Sequence, residues 1–546
     1  MATEPIGAGA ASTGRSSHNP VLGAAAVLVG AFLVSFDQRL FAIGLPDLRG
    51  AFGLTFDEGT WLATIALAPQ LLVAPAIPWL ATVLGVRRVL VVPGLVYIAL
   101  SLAIPFVSDY QVLLTLHFVH GLLLGIFIPV TIMIVLHNLP MRWWIVGLAM
   151  YSFRLSFTGN SGVSLVGFHV QHLGWEWIYW QNAIVAVLMI LLTWLGTPRE
   201  GVNRRLLASA DWGGMLMLGG GLALIYAGLD QGNRLDWFES GIVTSLLVGG
   251  GVLVVGFLIN EAVVREPWAH PSVLMSRNIG LAMLALMAYM VTSLSNMMLV
   301  PTFLTVVGHL RPEQVGDVLL NCTALPLVGV VTAAVLLLRR FDARLVILGG
   351  LTCFAVAGWM GTGITPEWSP DDFVPMALMQ SLGQGLTFTG LLVFVVSNAN
   401  PARTVALVAY IQVMRLDIIE ITTTVMSTWL RVREQVHSNL IGLHVSVGDS
   451  EVVQALDHLK ARFIEHSAAA ETAVARATST LASLVRRQAD VLSFIDGFEV
   501  TFWAAIAGIL LVSLMRTAPP GPLTPAAPKP APAVGRSRPA STYPKV

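Results

Sequence analysis

Apolar stretches of about twenty residues, the length a spanning helix needs, recur along this chain. They lie near 21–46, 60–81, 89–107, 111–135, 143–167, 179–196, 211–229, 240–259, 279–304, 315–337, 344–364, 373–397, 403–430 and 495–515. The pattern predicts an all-α polytopic membrane protein with fourteen transmembrane helices, numbered here 1 to 14. Composition agrees: 55% of the 546 residues are hydrophobic and 11% charged, against about 25% charged in soluble domains. A formal net charge of +0 offers no footprint for nucleic acid.

The basic residues test the count. With the N-terminus cytoplasmic, the inside loops hold Arg87, Arg88, Arg142, Arg199, Arg204, Arg205, Arg265, Arg277, Arg339, Arg340, Arg344 and Arg403. The short outside loops hold only Arg49, Arg234 and Arg311, together with Asp57, Glu58, Asp109, Asp236, Glu239, Glu367, Asp371 and Asp372. This satisfies the positive-inside rule at every short loop. Both termini are therefore expected in the cytoplasm of a bacterial inner membrane protein.

Residues 1–20 read as a disordered leader, and the Pro/Ala-rich stretch 516–546 as a disordered tail. The first apolar segment is too long for a signal h-region and carries Asp37 and Arg39, so no cleavable signal is expected. The outside loop 431–494 has Leu, Val and Phe at helical spacing between charges, predicting one or two amphipathic helices outside the membrane. His437, His444, His458 and His466 are scattered along it and read as solvated surface residues. Cys322 and Cys353 both fall in apolar segments and form no metal-ligand spacing, so neither a metal nor a cofactor is expected.

Several stretches resemble the major facilitator superfamily, in particular its fourteen-helix drug:H+ antiporters of the EmrB type. "FDQRLFAIGLP" in helix 1 is similar to the family signature of an Asp followed by an apolar run ending in Ala-Leu-Pro, with Asp37 and Pro46 matching. Trp61 at the start of helix 2, "GWEWIYWQN" before helix 6, "DWGG" and "GLDQGNRLDWF" resemble further family motifs, in order and at the right spacing. There are departures. The loop "PWLATVLGVRR" keeps Gly85, Arg87 and Arg88 of the gating motif, but Thr82 stands in place of its Asp. His117 and His120 replace the Arg and Gln of the helix 4 motif, while Gly121 and Gly125 remain; "FRLSFTGNSG" stands where helix 5 usually carries the antiporter motif.

The resemblance implies two six-helix bundles, 21–200 and 261–515, with an inserted pair, helices 7 and 8, over 201–260. It places the pathway between the bundles, lined by helices 1, 2, 4 and 5 and helices 9, 10, 12 and 13, with helices 3, 6, 11 and 14 peripheral. Polar residues fall on the expected lining helices: Asp37 and Arg39, His117 and His120, Arg154, Asn160, Asn296, Asn321, Gln380 and Gln384. Met287, Met297 and Phe388 suit an adaptable apolar lining.

Helix 13 carries the densest charge, "QVMRLDIIEIT", with Arg415, Asp417 and Glu420. Ionisable groups within spans mark transport pathways. At about 100° per residue, Asp417 and Glu420 share one face, while Arg415 lies about 140–160° away. Two carboxylates this close in a low-dielectric site do not both ionise readily, which suits a group that must bind and release a proton. Arg154 in "FRLSFTGNS" aligns with Arg415 in "MRLDIIEIT", each in the fifth helix of its half.

The expected function is proton-coupled export of amphipathic or aromatic small molecules by alternating access, with no catalytic residues. Asp37, Asp417 and Glu420 are candidate proton carriers. Arg154, Arg415, His117, His120, Gln380, Gln384, Asn296 and Asn321 are candidate counter-charges or substrate contacts, and Arg39 a local partner for Asp37 or a group that snorkels outward. The resemblance implies a periplasmic adaptor and an outer-membrane channel as partners, with 431–494 as docking surface. Two alternatives stay open: export of an anionic metabolite, siderophore or lipid with different coupling, and a non-transporting membrane sensor or assembly subunit.

Overall fold

The computed structural model describes residues 19–264, 267–269, 271–400, 403–446, 448–465, 469–519 and 523. Of these, the side chains of residues 133, 136–138, 417 and 470 are not described. The leader before residue 19, most of the tail, Arg265 and His466 lie outside the described residues, as does the side chain of Asp417.

Every regular element in the described residues is a helix, and a helix covers each of the expected segments. Helices 1 to 4 are Pro20–Phe52, Phe56–Leu84, Val86–Phe106 and Tyr110–Ile132. Helix 5 is Trp144–Phe168 and helix 6 Trp177–Gly196; the inserted pair is Trp212–Gly232 and Gly241–Val263. Helices 9 to 12 are Arg277–Val306, Pro312–Leu338, Ala343–Gly361 and Pro370–Ser397; helix 13 is Thr404–Gly442 and helix 14 Ala470–Ser513.

Among the described residues, 12 of these are long and apolar enough to cross a membrane, so the chain is a multi-pass membrane protein. Helices 5 and 13, with 25 and 39 residues, are long enough but too polar to join that set. Helix 5 carries Arg154 among serines, threonine and asparagine; helix 13 carries Arg415, Asp417 and Glu420. The two helices that align on Arg-Leu are the two that sit outside the apolar set.

Helix starts follow their sequence signals. Pro20 occupies the first turn of helix 1 behind Asn19, whose side chain accepts from Val21 N–H at 3.0 Å. Thr55 and Glu58 form a capping box at helix 2. Helix ends 13 and 14 differ from expectation, because no proline and no glycine interrupts residues 404–441 and neither stops 470–496. Both helices therefore continue past the apolar segment, and Ser450–Glu465 forms a separate helix between them. Arg433 and His437 of helix 13 both reach Asp496 of helix 14, at 2.5 and 2.7 Å, and fasten the two extensions together.

Packing repeats between the halves. Helix 1 packs on helices 5 and 6, helix 3 on helix 6, and helix 2 on helix 4; likewise helix 9 packs on 13 and 14, helix 11 on 14, and helix 10 on 12. Gly121 and Gly125 explain the helix 2–4 contact. A Cβ at Gly121 would stand 2.6 Å from the Ala66 carbonyl oxygen, and one at Gly125 would stand 2.8 Å from that of Gln70. The halves meet where helix 5 crosses helices 10 and 12, and helix 7 fills the other side, packed on helices 2 and 13. One apolar cluster, including Val27, Ile132, Ala285, Ile347 and Leu407, joins both halves near the face bearing Arg87, Arg88, Arg339 and Arg340. That face is called basic below.

Candidate functional site

The seam between the halves holds a cavity of about 580 Å³. It begins near Ser35, Leu294 and Arg415 and runs away from the basic face toward Pro46, Thr305 and Pro312. Among the described residues, helices 1, 2, 5, 9, 10 and 13 supply its lining, and helices 3, 6, 11 and 14 contribute nothing. Helices 4 and 12, expected to line it, do not reach it.

Among the described side chains, three charged ones face this cavity: Arg39, Arg415 and Glu420. Arg39 donates from Nε to the Gly159 carbonyl at 2.9 Å and from Nη2 to the Met297 carbonyl at 3.0 Å. The Met297 carbonyl is open to it for a local reason. Its helical partner four residues on is Pro301, which has no N–H, and Ser295–Leu299 is wound as a π-helix. Glu420 shares this wall with Arg39 and Arg415, two charges opposite to its own. Met297, Met298, Leu155, Ile419 and Pro301 make the remaining walls largely apolar.

Arg154 sits just behind this lining, fully buried. It donates to the Ser35 hydroxyl and, at 3.4 Å, to the Ala31 carbonyl, and its guanidinium carbon stands 4.4 Å from the Tyr151 ring centre. Tyr151 and Gln412 lie 3.4–3.5 Å apart, and Arg415 Nε donates to Gln412 Oε1 at 3.3 Å. The aligned arginines are thus joined across the seam by Tyr151 and Gln412. Deeper in the seam, Asn160 of helix 5 donates to Gln384 Oε1 at 3.1 Å and receives a bond from Asn296 Nδ2. Gln380 donates to Ser295 Oγ at 3.1 Å. Phe388 is buried against Tyr289, ring centres 5.2 Å apart, and of the three apolar residues suggested for the lining only Met297 reaches the cavity.

The structure places the other candidates elsewhere. Asp37 and Arg39 are two positions apart, about 160° around the helix, so Asp37 points away from the cavity. Its Oδ1 accepts from Tyr97 Oη at 2.8 Å and Asn182 Nδ2 at 2.9 Å, so Arg39 is not its partner. His117 and His120 belong to the same lateral cluster. His117 lies 3.0 Å from Tyr179 Oη and 2.9 Å from the Leu113 carbonyl, and His120 lies 3.1 Å from Ser101 Oγ. Asn321 is exposed on helix 10. Gly85, at φ 81°, Arg87 and Arg88 form the turn into helix 3, apart from the cavity.

Sequence reading missed Asp230 on inserted helix 7. Tyr226, one turn earlier, packs with Leu416, one turn before Glu420, which brings the two acids to one level. Thr64 Oγ1 donates to Asp230, Gln231 Nε2 donates to Thr64 Oγ1 at 2.6 Å, and Arg234 donates to Gln231 Oε1 at 2.8 Å. Arg234 also pairs with Asp57 at 3.0 Å, where the Asp57 side chain is 67% exposed. A chain of polar contacts therefore leads from the surface to the acid beside Glu420.

Among the described residues there is no group of three or more His, Cys, Asp or Glu side chains able to hold a metal ion. The family model described as Major Facilitator Superfamily matches residues 27–416. Over 504 residues the chain is 22% identical to the Multidrug export protein EmrB of Haemophilus influenzae, covering 90% of this chain and 95% of that protein. The Fatty acid resistance protein FarB of Neisseria gonorrhoeae is 21% identical over 436 residues, 78% of this chain and 84% of that one. Among solved structures, the proton:xylose symporter XylE superposes with a TM-score of 0.52 at 10% identity, over 90% of this chain and 95% of that one; the likeness is one of fold.

Proposed function

Because the chain belongs to the Major Facilitator Superfamily, we propose that it is an exporter of amphipathic or aromatic small molecules that works by alternating access and draws on the proton gradient. The observation that carries this reading is the Glu420 carboxyl group, set in the wall of an otherwise largely apolar cavity between two pseudo-equivalent halves and flanked by Arg39 and Arg415. Similarity to EmrB, a multidrug export protein, supports the substrate class.

The proton and the substrate compete in this scheme. With Glu420 charged, it offsets one of the two arginines; once it is protonated, the positive charge facing the cavity rises by one and its binding preferences change. A change of differential affinity between the two conformations is what couples a ligand to a conformational equilibrium. Asp417 is kept as a second carrier on the same helix, and Asp230 as the acid that tunes Glu420. Arg154, Asn160, Asn296, Gln380 and Gln384 form the polar seam that the moving halves rearrange. Asp37, with His117 and His120, acts as a fixed brace of the first half.

The finer topology belongs to the same proposal: fourteen spans, helices 5 and 13 included, with both termini on the cytoplasmic side of a bacterial inner membrane. The helical extensions within 431–494 then stand outside, where a periplasmic adaptor linked to an outer-membrane channel would dock. A second reading, export of an anionic amphiphile, is favoured by the two arginines on the cavity wall and by similarity to FarB, named for fatty acid resistance.

Reconstituted vesicles test the main reading. Flux of a lipophilic dye such as ethidium is expected to require an imposed pH gradient and to stop with a protonophore. Flux that persists at full rate without the gradient contradicts proton coupling.

A further inference from the structure

A second cavity, of about 270 Å³, opens between helices 3 and 6 at the basic face, remote from the seam. Arg87, Arg88, Trp194, Arg199 and Glu200 line it. The Arg87 guanidinium carbon stands 3.9 Å from the centre of the Trp194 ring, and that of Arg199 stands 5.8 Å from the same ring. Each cation–π contact is favourable, yet it draws two like charges together over one indole, and they repel each other.

Among the described residues, none offsets that repulsion fully. Among the described residues, no carboxylate oxygen lies within 4.0 Å of Arg87, Arg88 or Arg199. Glu200, the acid on the rim, is turned over the turn glycine: a Cβ built at Gly85 would stand 3.0 Å from its Cβ and 3.1 Å from its Oε2. Two other arginines of this face are engaged, Arg344 by Asp342 at 2.9 Å and Arg277 by the Leu514 carbonyl at 3.0 Å. The cavity therefore gathers three cations against one acid.

The wall beside it identifies the source of the missing charge. Val92, Leu95, Leu191 and Leu195 of helices 3 and 6 are all more than half exposed, on the outer surface of a membrane-spanning bundle. An indole at the end of such a wall is the usual marker of the headgroup level. Basic clefts between spanning helices suit anionic headgroups, and the planar guanidinium forks match phosphate geometry.

We propose that this cavity holds the phosphate of an anionic phospholipid, with its acyl chains lying along the exposed face of helices 3 and 6. The phosphate takes the charge of Arg87 and Arg199, and the lipid clamps the turn between helices 2 and 3 to the end of helix 6.

Native mass spectrometry of the full-length protein, released from micelles mixed with phosphatidylglycerol, cardiolipin or phosphatidylcholine, tests this. The unaltered protein is expected to retain the anionic lipids about tenfold over phosphatidylcholine, a difference of about 1.4 kcal/mol. The double variant Arg87→Gln/Arg199→Gln should lose that preference, while Arg339→Gln/Arg340→Gln on the same face keeps it. Unfolding temperature checks that both variants are folded; if the first is not, Arg199→Gln alone replaces it. Equal retention of all three lipids, or a preference that survives Arg87→Gln/Arg199→Gln, overturns the proposal. So does equal loss in the Arg339/Arg340 control, which signals general surface charge. Full displacement by millimolar inorganic phosphate also overturns it, as that marks a site for the free anion.

Discussion

The Arg39 guanidinium donates to the Met297 carbonyl at 3.0 Å, joining helix 1 of the first half to helix 9 of the second. A second bond, to the Gly159 carbonyl at 2.9 Å, ties the same side chain to helix 5. Any motion that parts the halves at this level must break the bond to Met297. Hydrogen bonds from a charged donor contribute about 1.5–3 kcal/mol. Arg39→Leu is therefore predicted to lower the unfolding temperature in detergent and to abolish coupled flux. An unfolding temperature and a flux both equal to those of the unaltered protein would show that the staple does not matter.

The lateral cluster gives a separable prediction. Tyr97→Phe removes the 2.8 Å bond to Asp37 and leaves a buried carboxylate with one donor, Asn182. Leaving a buried polar group one bond short costs about 1–3 kcal/mol, visible as a lower unfolding temperature. Because the cluster is outside the cavity, His117→Gln and His120→Gln are expected to reduce stability without moving the pH profile of transport. A shifted profile in either histidine variant would place the cluster on the proton route.

Close packing of helix 4 on helix 2 predicts a steep steric penalty. Gly121→Val puts a branched side chain where even a Cβ would meet the Ala66 carbonyl oxygen at 2.6 Å. Overpacking of this kind costs about 1–3 kcal/mol. Gly329→Ala, where nothing lies within 4 Å of the added Cβ, is the matched control and should be near neutral. Similar unfolding temperatures for the two variants would contradict the close contact.

Much of this arrangement is legible in the sequence, and the limits have physical causes. Arg39, Arg154, Arg415 and Glu420 are conspicuous because charge in an apolar run is costly and must meet a partner or a cavity. Depth along a helix follows from counting residues; direction around it depends on which neighbour lies where. Hence Asp37 and Arg39 read alike yet face opposite sides, and His117 and His120 turn toward helices 3 and 6 instead of the seam. Asp230 was hidden because the apolar segment expected for helix 7 stops at residue 229, one short of it, and because Thr64, its partner, is 166 residues away. The carbonyl that receives Arg39 was readable in principle, since Pro301 leaves Met297 without its helical donor.

Asp230 and Glu420 supply a prediction about coupling between neighbours. The two acids lie at one level on adjoining helices and repel each other when both are charged, so the double variant Asp230→Asn/Glu420→Gln should gain less than the sum of the two single effects. Interacting sites of this kind show coupling of about 0.5–3 kcal/mol in a double-mutant cycle. Strict additivity in unfolding free energy would mean that helix 7 does not bear on Glu420.

The central claim is that Glu420 exchanges the proton that drives export. The direct measurement is substrate-dependent proton movement, read with a lumenal pH dye in vesicles containing the unaltered protein, Glu420→Gln or Asp417→Asn. Glu420→Gln is predicted to bind substrate but to abolish substrate-dependent proton movement, with Asp417→Asn retaining at least part of it. Proton movement in Glu420→Gln equal to that of the unaltered protein would contradict the account.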